Sequence, residues 1–232
     1  ETNIMISNQK IYNYLIELEN NNNRDWYHEN KELRIEVNKE FENIIQELIN
    51  QIGIFDSSIL NLKPKDLTFK QVRDTRFSHD KSPYNPVLRA HLGPKGKLPI
   101  PVGYYLFIGA NNKTFLGGGL FTGMFKEATE MIRKYIVEHG DEFENILNEP
   151  VFKESYCLKG EKLKNVPHGY NKDHPQAELL KYKSWYIEYP VKDSELSDAS
   201  AFIKKAAGLF CLMKPFNDYL NKALSKFEMP KR

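Results

Sequence analysis

Between Arg73 and Tyr84 the chain reads Arg-Asp-Thr-Arg-Phe-Ser-His-Asp-Lys-Ser-Pro-Tyr, packing two arginines, a lysine, two aspartates, a histidine and three aliphatic hydroxyls around one phenylalanine. Charges at this density must be paired wherever they are buried, so the stretch predicts a preorganised polar network. Arginine forks bind oxyanions bidentately, and Arg73, Arg76 and Lys81 together predict a clamp for a phosphate or carboxylate, with Asp74 orienting one guanidinium. Asp80 or His79 could move a proton, and Lys81 and Tyr84 beside arginines are further acid/base candidates. Asp74, His79, Asp80 and Tyr84 are therefore the candidate catalytic residues. Two plainer readings stay open: a structural salt-bridge network tying strand to loop, and Tyr84 as a packing aromatic in the turn Ser82–Pro86. The spacing matches no motif whose chemistry is fixed, so the reaction class is not set by these residues.

Gly117, Gly118 and Gly119 come next in chain order. Three glycines allow close backbone approach and positive φ, as a phosphate cradle needs, and a helix expected just after Gly123 adds a favourable dipole. No Gly-Lys-Ser/Thr follows, so this is not a P-loop, and a bulge or crowded strand crossing needs the same glycines. The glycine turn and the charged segment are expected to face one cleft. His79, His91, His168 and His174 lack helical ligand spacing, and no metal site is indicated. Tyr104, Tyr105, Phe107, Trp185, Tyr186 and Tyr189 could stack bases, although strand alternation sends half of them to the core.

The residues Arg73, Asp74, Arg76, Phe77, Asp80, Lys81 and Tyr84 resemble the signature of an uncharacterised family, domain of unknown function (DUF) family 2461: Arg-x-x-Arg-Asp-x-Arg-Phe, then an acid, Lys-x-x-Tyr. Only Ser78 and His79 separate the Phe from the acid here, one residue fewer than in the pattern. Its leading Arg falls on Lys70, which keeps the charge and loses the planar fork. Asn21–Trp26, Gly117–Gly119, Pro167–Tyr170 and Asp173–Pro175 extend the resemblance along the chain. It implies one compact domain, residues 1–232, and carries over no activity or cofactor.

Charge distribution sharpens the partner question. From Leu62 to Lys97 nine Lys/Arg face three Asp, a balance of +6, while the other 24 basic and 28 acidic residues sum to −4. One basic segment on a mildly acidic body predicts a local site for a small anionic ligand. A nucleic-acid-binding module, with phosphates on this segment and aromatics under the bases, is the second reading, disfavoured by the net charge of +2. A structural or interaction protein is the third.

These residues need a scaffold, and 41% hydrophobic and 28% charged residues supply one of the soluble globular kind. Two isolated cysteines suggest no disulfide framework, the start lacks a signal-peptide pattern, and no run of about 18 apolar residues spans a membrane. A cytoplasmic setting is expected. Ser7 could cap a helix with Ile11, Leu15 and Leu18 on one face, and a second helix over about 25–52 carries a stripe from Leu33 to Ile52. Strand composition follows over Leu67–Val72. Gly103–Ile108 and Thr114–Leu120 flank a hairpin turn. A helix follows Gly123, with Met124, Ala128 and Ile132 inward and Gly140 at its end. Asp173–Gln176 reads as a helix cap, Trp185–Tyr189 as a strand, and Ser197–Met213 as a helix that Pro215 restarts or kinks. The fold class is α+β: a largely antiparallel central sheet flanked by an N-terminal helical hairpin and C-terminal helices. On an extended backbone Phe77 belongs to the core.

Overall fold

A computed structural model describes residues 8–121 and 125–230 of the chain. Ser7, Gly123 and Met124 lie outside the described residues, and with them the expected first cap and the residues leading into the middle helix. The fold is α+β, with one four-stranded antiparallel sheet among the described residues, in the order β1-β2-β3-β4: β1 (Val87–Leu92), β2 (Tyr104–Gly109), β3 (Thr114–Leu120) and β4 (Trp185–Val191). The helices among the described residues are α1 (Asn8–Asn20), α2 (Arg24–Glu29), α3 (Lys31–Ile52), α4 (Pro64–Leu67), α5 (Lys126–Asn148), α6 (Pro150–Ser155), α7 (Ala177–Leu180) and α8 (Ala199–Ala223).

The apolar stripes form the expected hairpin. Ile11, Leu15 and Leu18 of α1 pack with Val37, Phe41, Ile44, Leu48 and Ile52 of α3, all at most 1% exposed. The expected second helix is divided at Asn30, whose backbone (φ −93°, ψ 28°) leaves the helical region between α2 and α3. Asn23 caps α2 by accepting the amide of Trp26 at 2.9 Å. Strand alternation sorts the sheet into two faces. Leu88, Ala90, Leu92, Tyr104, Leu106, Leu116, Trp185 and Ile187 are buried beneath the helices, and their neighbours in sequence point the other way. Asn111 and Asn112, both near φ +57°, turn β2 into β3 in the left-handed conformation that asparagine tolerates.

Four sequence expectations change. Leu67–Val72 is not a strand: α4 ends at Leu67, and the following residues meet the sheet edge through the Thr68–Ala90 bridge, the Phe69 N–H donating to the Arg89 carbonyl at 3.0 Å and the Gln71 side-chain amide donating to the Val87 carbonyl at 3.3 Å. Gly140 does not end its helix. It lies within α5, one residue past a kink at His139, where its missing side chain admits Gln176. Gln176 is itself the residue preceding α7, so Asp173 caps nothing. Pro215 does not restart the last helix: α8 runs through it to Ala223 from an Asp198 cap on the Ala201 amide.

α8 lies across β3 and between α3 and α5. Its contact with the sheet is polar at the centre. Asn217, 3% exposed, accepts the Gly119 N–H at 2.8 Å and donates to the Gly103 carbonyl at 3.1 Å. One turn on, Asn221 accepts the Val102 N–H at 2.8 Å and donates to the Val102 carbonyl at 2.9 Å. These amides serve as surrogate peptide groups where β2 begins and β3 ends. No helix among the described residues is long and apolar enough to cross a membrane.

Gly119 is the tightest point of this contact: at φ +88° an added Cβ meets the Trp185 carbonyl oxygen at 2.5 Å and a Phe216 ring carbon at 2.6 Å. Gly119→Ala therefore combines backbone strain with overpacking and is expected to cost about 2–4 kcal/mol. Gly169→Ala, at φ +91° in open space, carries the backbone term alone, about 1–2 kcal/mol. Urea unfolding of the two variants beside the wild type measures both.

Candidate functional site

The charged segment is a closed loop between α4 and β1. Its base pairs like a short ribbon: the Arg73 N–H donates to the Pro83 carbonyl at 2.9 Å, the Asn85 N–H to the Gln71 carbonyl at 2.7 Å, and Val72 bridges Tyr84. Within it, Arg73 donates to Asp80, to the Ser82 carbonyl at 3.1 Å and to the Ser78 hydroxyl at 3.3 Å. Arg76 grips Asp74 bidentately, Nε to Oδ1 at 2.9 Å and Nη2 to Oδ2 at 2.7 Å. Lys81 donates to the Thr75 carbonyl at 3.0 Å. Hydrogen bonds from Ser82, together with that from Arg73, hold the Asp80 carboxyl far below the usual range, and the Arg76 fork lowers that of Asp74. Both arginines thus spend charge inside the loop.

Phe77 is not a core residue. The turn from the Thr75 carbonyl to the Ser78 N–H (3.2 Å) puts it at the tip, 96% exposed. Tyr84 takes the inward place at the base, buried and stacked 3.7 Å from Tyr27, whose ring also carries the Arg34 guanidinium at 3.9 Å. Asn22 binds the Tyr84 peptide at both ends, accepting its N–H at 3.1 Å and donating to its carbonyl at 2.9 Å. The Asn21–Trp26 segment and the charged loop, far apart in sequence, thus meet. Pro167–Tyr170 reaches α5 instead, through the Tyr170 hydroxyl on Glu130 (2.9 Å), which pairs with the buried Arg133.

Gly117, Gly118 and Gly119 are strand residues of β3. Gly118 packs on Met213 and Asn217, and a Cβ on Gly117 would strike the Phe121 ring at 2.6 Å. Among the described residues no hydrogen bond, ion pair or ring contact joins these glycines to Arg73, Arg76 or Lys81. The loop has packed against the α1–α2 turn, and the glycines between α8 and the opposite sheet face.

That opposite face holds a cavity of about 360 Å³. In register across the strands run Arg89, Phe107, Phe115 and Pro190, then His91, Tyr105, Gly117 and Glu188, then Gly119 and Tyr186. The cavity walls are Phe69, Tyr105, Phe107, Phe115 and Phe121; Gly119 and Pro99 also line it, and His91 and Lys97 are its polar members. Phe107 stacks on Phe115 at 4.7 Å and Phe121 on Tyr186 at 4.7 Å. Arg89 lies over the Phe69 ring at 5.4 Å, and Lys97 donates to the Thr68 carbonyl at 3.4 Å. Neither cation is in an ion pair among the described residues. Of the six aromatics expected to stack or pack, Tyr104 and Trp185 are core and Tyr189 packs against it, while Tyr105, Phe107 and Tyr186 are on this face. Phe69, Arg89, Lys97, Phe115 and Phe121 were not singled out by the sequence. Their signal was the period-two alternation opposite the core positions, together with the tail of the basic segment.

His91 is buried in the cavity wall, its Nδ1 3.2 Å from the Gly96 carbonyl; burial pushes its pKa down to about 4. His79 and His168 are exposed, and the His174 ring accepts the Gln176 N–H at 3.1 Å. The described residues bring no three metal-ligating side chains together.

Residues 10–219 match the family described as "Conserved hypothetical protein (DUF2461)", and the chain belongs to that family. No curated protein and no solved structure matches the chain.

Two measurements test this geometry. Arg73→Lys removes a fork that ties three loop positions together, with a side chain only 20% exposed, and is expected to cost about 1–3 kcal/mol of loop stability. Arg76→Lys disturbs an exposed pair and should stay within about 1 kcal/mol. Hydrogen exchange of the Arg73 and Asn85 amides reads both. For His91 the folded pKa (about 4) lies below the ordinary 6.5. The unfolded chain therefore takes up a proton between pH 6.5 and 4 that the folded chain refuses. Its contribution is complete above pH 6.5 and falls away as the pH drops towards 4, by at most about 3 kcal/mol. His91→Gln should flatten that part of the stability–pH curve relative to wild type.

Proposed function

We propose that this member of the DUF2461 family binds a small ligand in which a flat ring carries an anionic group, in the cavity on the open sheet face. The observation that carries the reading is a cavity of about 360 Å³ walled by five aromatic side chains on the face the helices leave uncovered. That volume falls in the range of small-molecule sites, which are mostly apolar with a few placed polar groups. Aromatic walls accept a planar ring by stacking, at about 1–3 kcal/mol for a nucleobase. Lys97 and Arg89 supply positive charge beside those walls without a carboxylate partner, which suits a phosphate or carboxylate.

This reading moves the anion seat from Arg73, Arg76 and Lys81 to Lys97 and Arg89. Within it, Asp74 and Asp80 neutralise the loop's own arginines, Tyr84 anchors the base, and His79 remains an exposed loop residue. Gly119 contributes the cavity's wall, and Gly117 makes room for Phe121. No proton transfer is assigned, so the proposal is binding, with catalysis left aside.

A ring stacked on an aromatic with its phosphate on a cation describes a free nucleotide and also one unit of a single strand. Intrinsic fluorescence or NMR titration with AMP, adenosine, ribose 5-phosphate and an oligodeoxyadenylate separates them. Expected is saturable binding of AMP that exceeds both fragments, weakened about tenfold or more by Tyr105→Ala or Lys97→Ala. Salt dependence should be shallow, since each phosphate contact contributes only about 0.7 to the logarithmic slope. Affinity that climbs with strand length on a steep slope would transfer the site to nucleic acid. Binding of none of the four, or binding unaltered by both variants, would sink the proposal.

A further inference from the structure

We propose that the Arg73–Tyr84 loop is a docking knob and that its socket is the groove between α5, α6 and α8 of a second copy of this chain. Phe77 is 96% exposed, the most exposed large apolar side chain among the described residues. It does not sit on a loose tip. Asp80, Ser78 and the Ser82 carbonyl hold Arg73, Asp74 holds Arg76, and Asn22 fastens the base. A ring held out at the end of a braced loop loses little conformational freedom on docking. Arg76, with 77% of its side chain exposed, and Lys81 flank it.

The groove has a volume of about 920 Å³ and an apolar floor that includes Phe152, Leu212 and Val151, the last 49% exposed. Its lining carboxylates are Glu142, Glu149 and Asp218 against the single cation Lys222, a balance of −2. Glu142 is shared with Lys222 and Asp218 with Lys214, so the field is moderate rather than steep. The loop carries three cations and two aspartates, +1, within the segment of balance +6, and the rest of the chain sums to −4. Shape and sign therefore complement each other: an aromatic knob on a loop of net charge +1, and an apolar groove whose lining sums to −2. α1 to α4, to which the knob is tied, contribute nothing to the groove lining, so a second copy is the natural occupant. Knob and groove are different patches, which makes the contact head-to-tail and leaves one free knob and one free groove on every assembly that does not close.

Sedimentation velocity across a concentration series tests this independently of the cavity ligand. The wild-type chain should grow past a dimer as concentration rises, and added salt should shrink it. Phe77→Asp and Val151→Arg, both at exposed positions, should each weaken association about tenfold or more. Mixed together, the two variants should form a one-to-one dimer and stop there, because only one intact knob and one intact groove remain. A wild type that stays monomeric, variants that assemble like wild type, or a mixture that does not pair would each overturn the proposal. Circular dichroism of the variants confirms that they are folded before the comparison is made.

Discussion

A helix can bury side chains against a sheet, but its backbone cannot join the ladder, so strand ends beneath a helix are left with polar groups facing apolar surroundings. Here the Asn217 and Asn221 amides, one turn apart on α8, meet that demand at Val102, Gly103 and Gly119. Leaving a buried peptide group unpaired costs about 1–3 kcal/mol. Two asparagines that satisfy four such groups therefore determine where α8 can lie. Its position then sets the turn of β3 at Gly119, which in turn opens the space that Phe121 and the neighbouring rings surround.

The same device recurs away from the core. Asn22 pairs with both ends of the Tyr84 peptide, and the Asn112 side chain accepts the Asp193 backbone N–H at 2.9 Å while the Asn112 N–H donates to the Asp193 carboxylate at 2.9 Å. In each place an asparagine side chain substitutes for a strand that the topology does not provide. At Asn22, as at Asn217 and Asn221, it reproduces both the donor and the acceptor of a peptide without committing further backbone. Long-range order in the loops comes from these amides and from ring stacking. The exposed ion pairs contribute little to global stability, because solvent screens them.

The sheet gives the molecule two unlike sides. One is sealed by α3, α5 and α8 over a core in which Tyr104, Trp185, Phe143 and Phe210 are at most 1% exposed. The other carries aromatic side chains whose bodies are only partly covered, with the basic segment following the β1 edge. Glycine in β3 serves both sides: Gly118 admits Met213 and Asn217 on the helical side, and Gly117 admits Phe121 on the other. A side chain at either position would separate layers that now touch.

Periodicity alone determined the helical hairpin, the β2–β3 turn, the last strand and the α+β class, because amphipathic spacing is a local property that packing had no reason to override. Local chemistry also paired Asp74 with Arg76, two residues apart, where no distant partner was needed. What the tertiary structure decided were the matters of partnership. Phe77, expected in the core, is at the surface, and Tyr84 takes the buried place because the loop base could stack Tyr84 on Tyr27 and be clamped by Asn22, contacts across some sixty positions. Gly140 and Pro215 sit inside helices because Gln176 fills one space and tertiary packing holds the other turn in place. The arginines and the glycine run, adjacent in chain order, were carried to different surroundings by the strands between them. Spacing along a chain reports which groups could meet; which of them do is set by the order of strands and by the side chains that replace missing backbone partners.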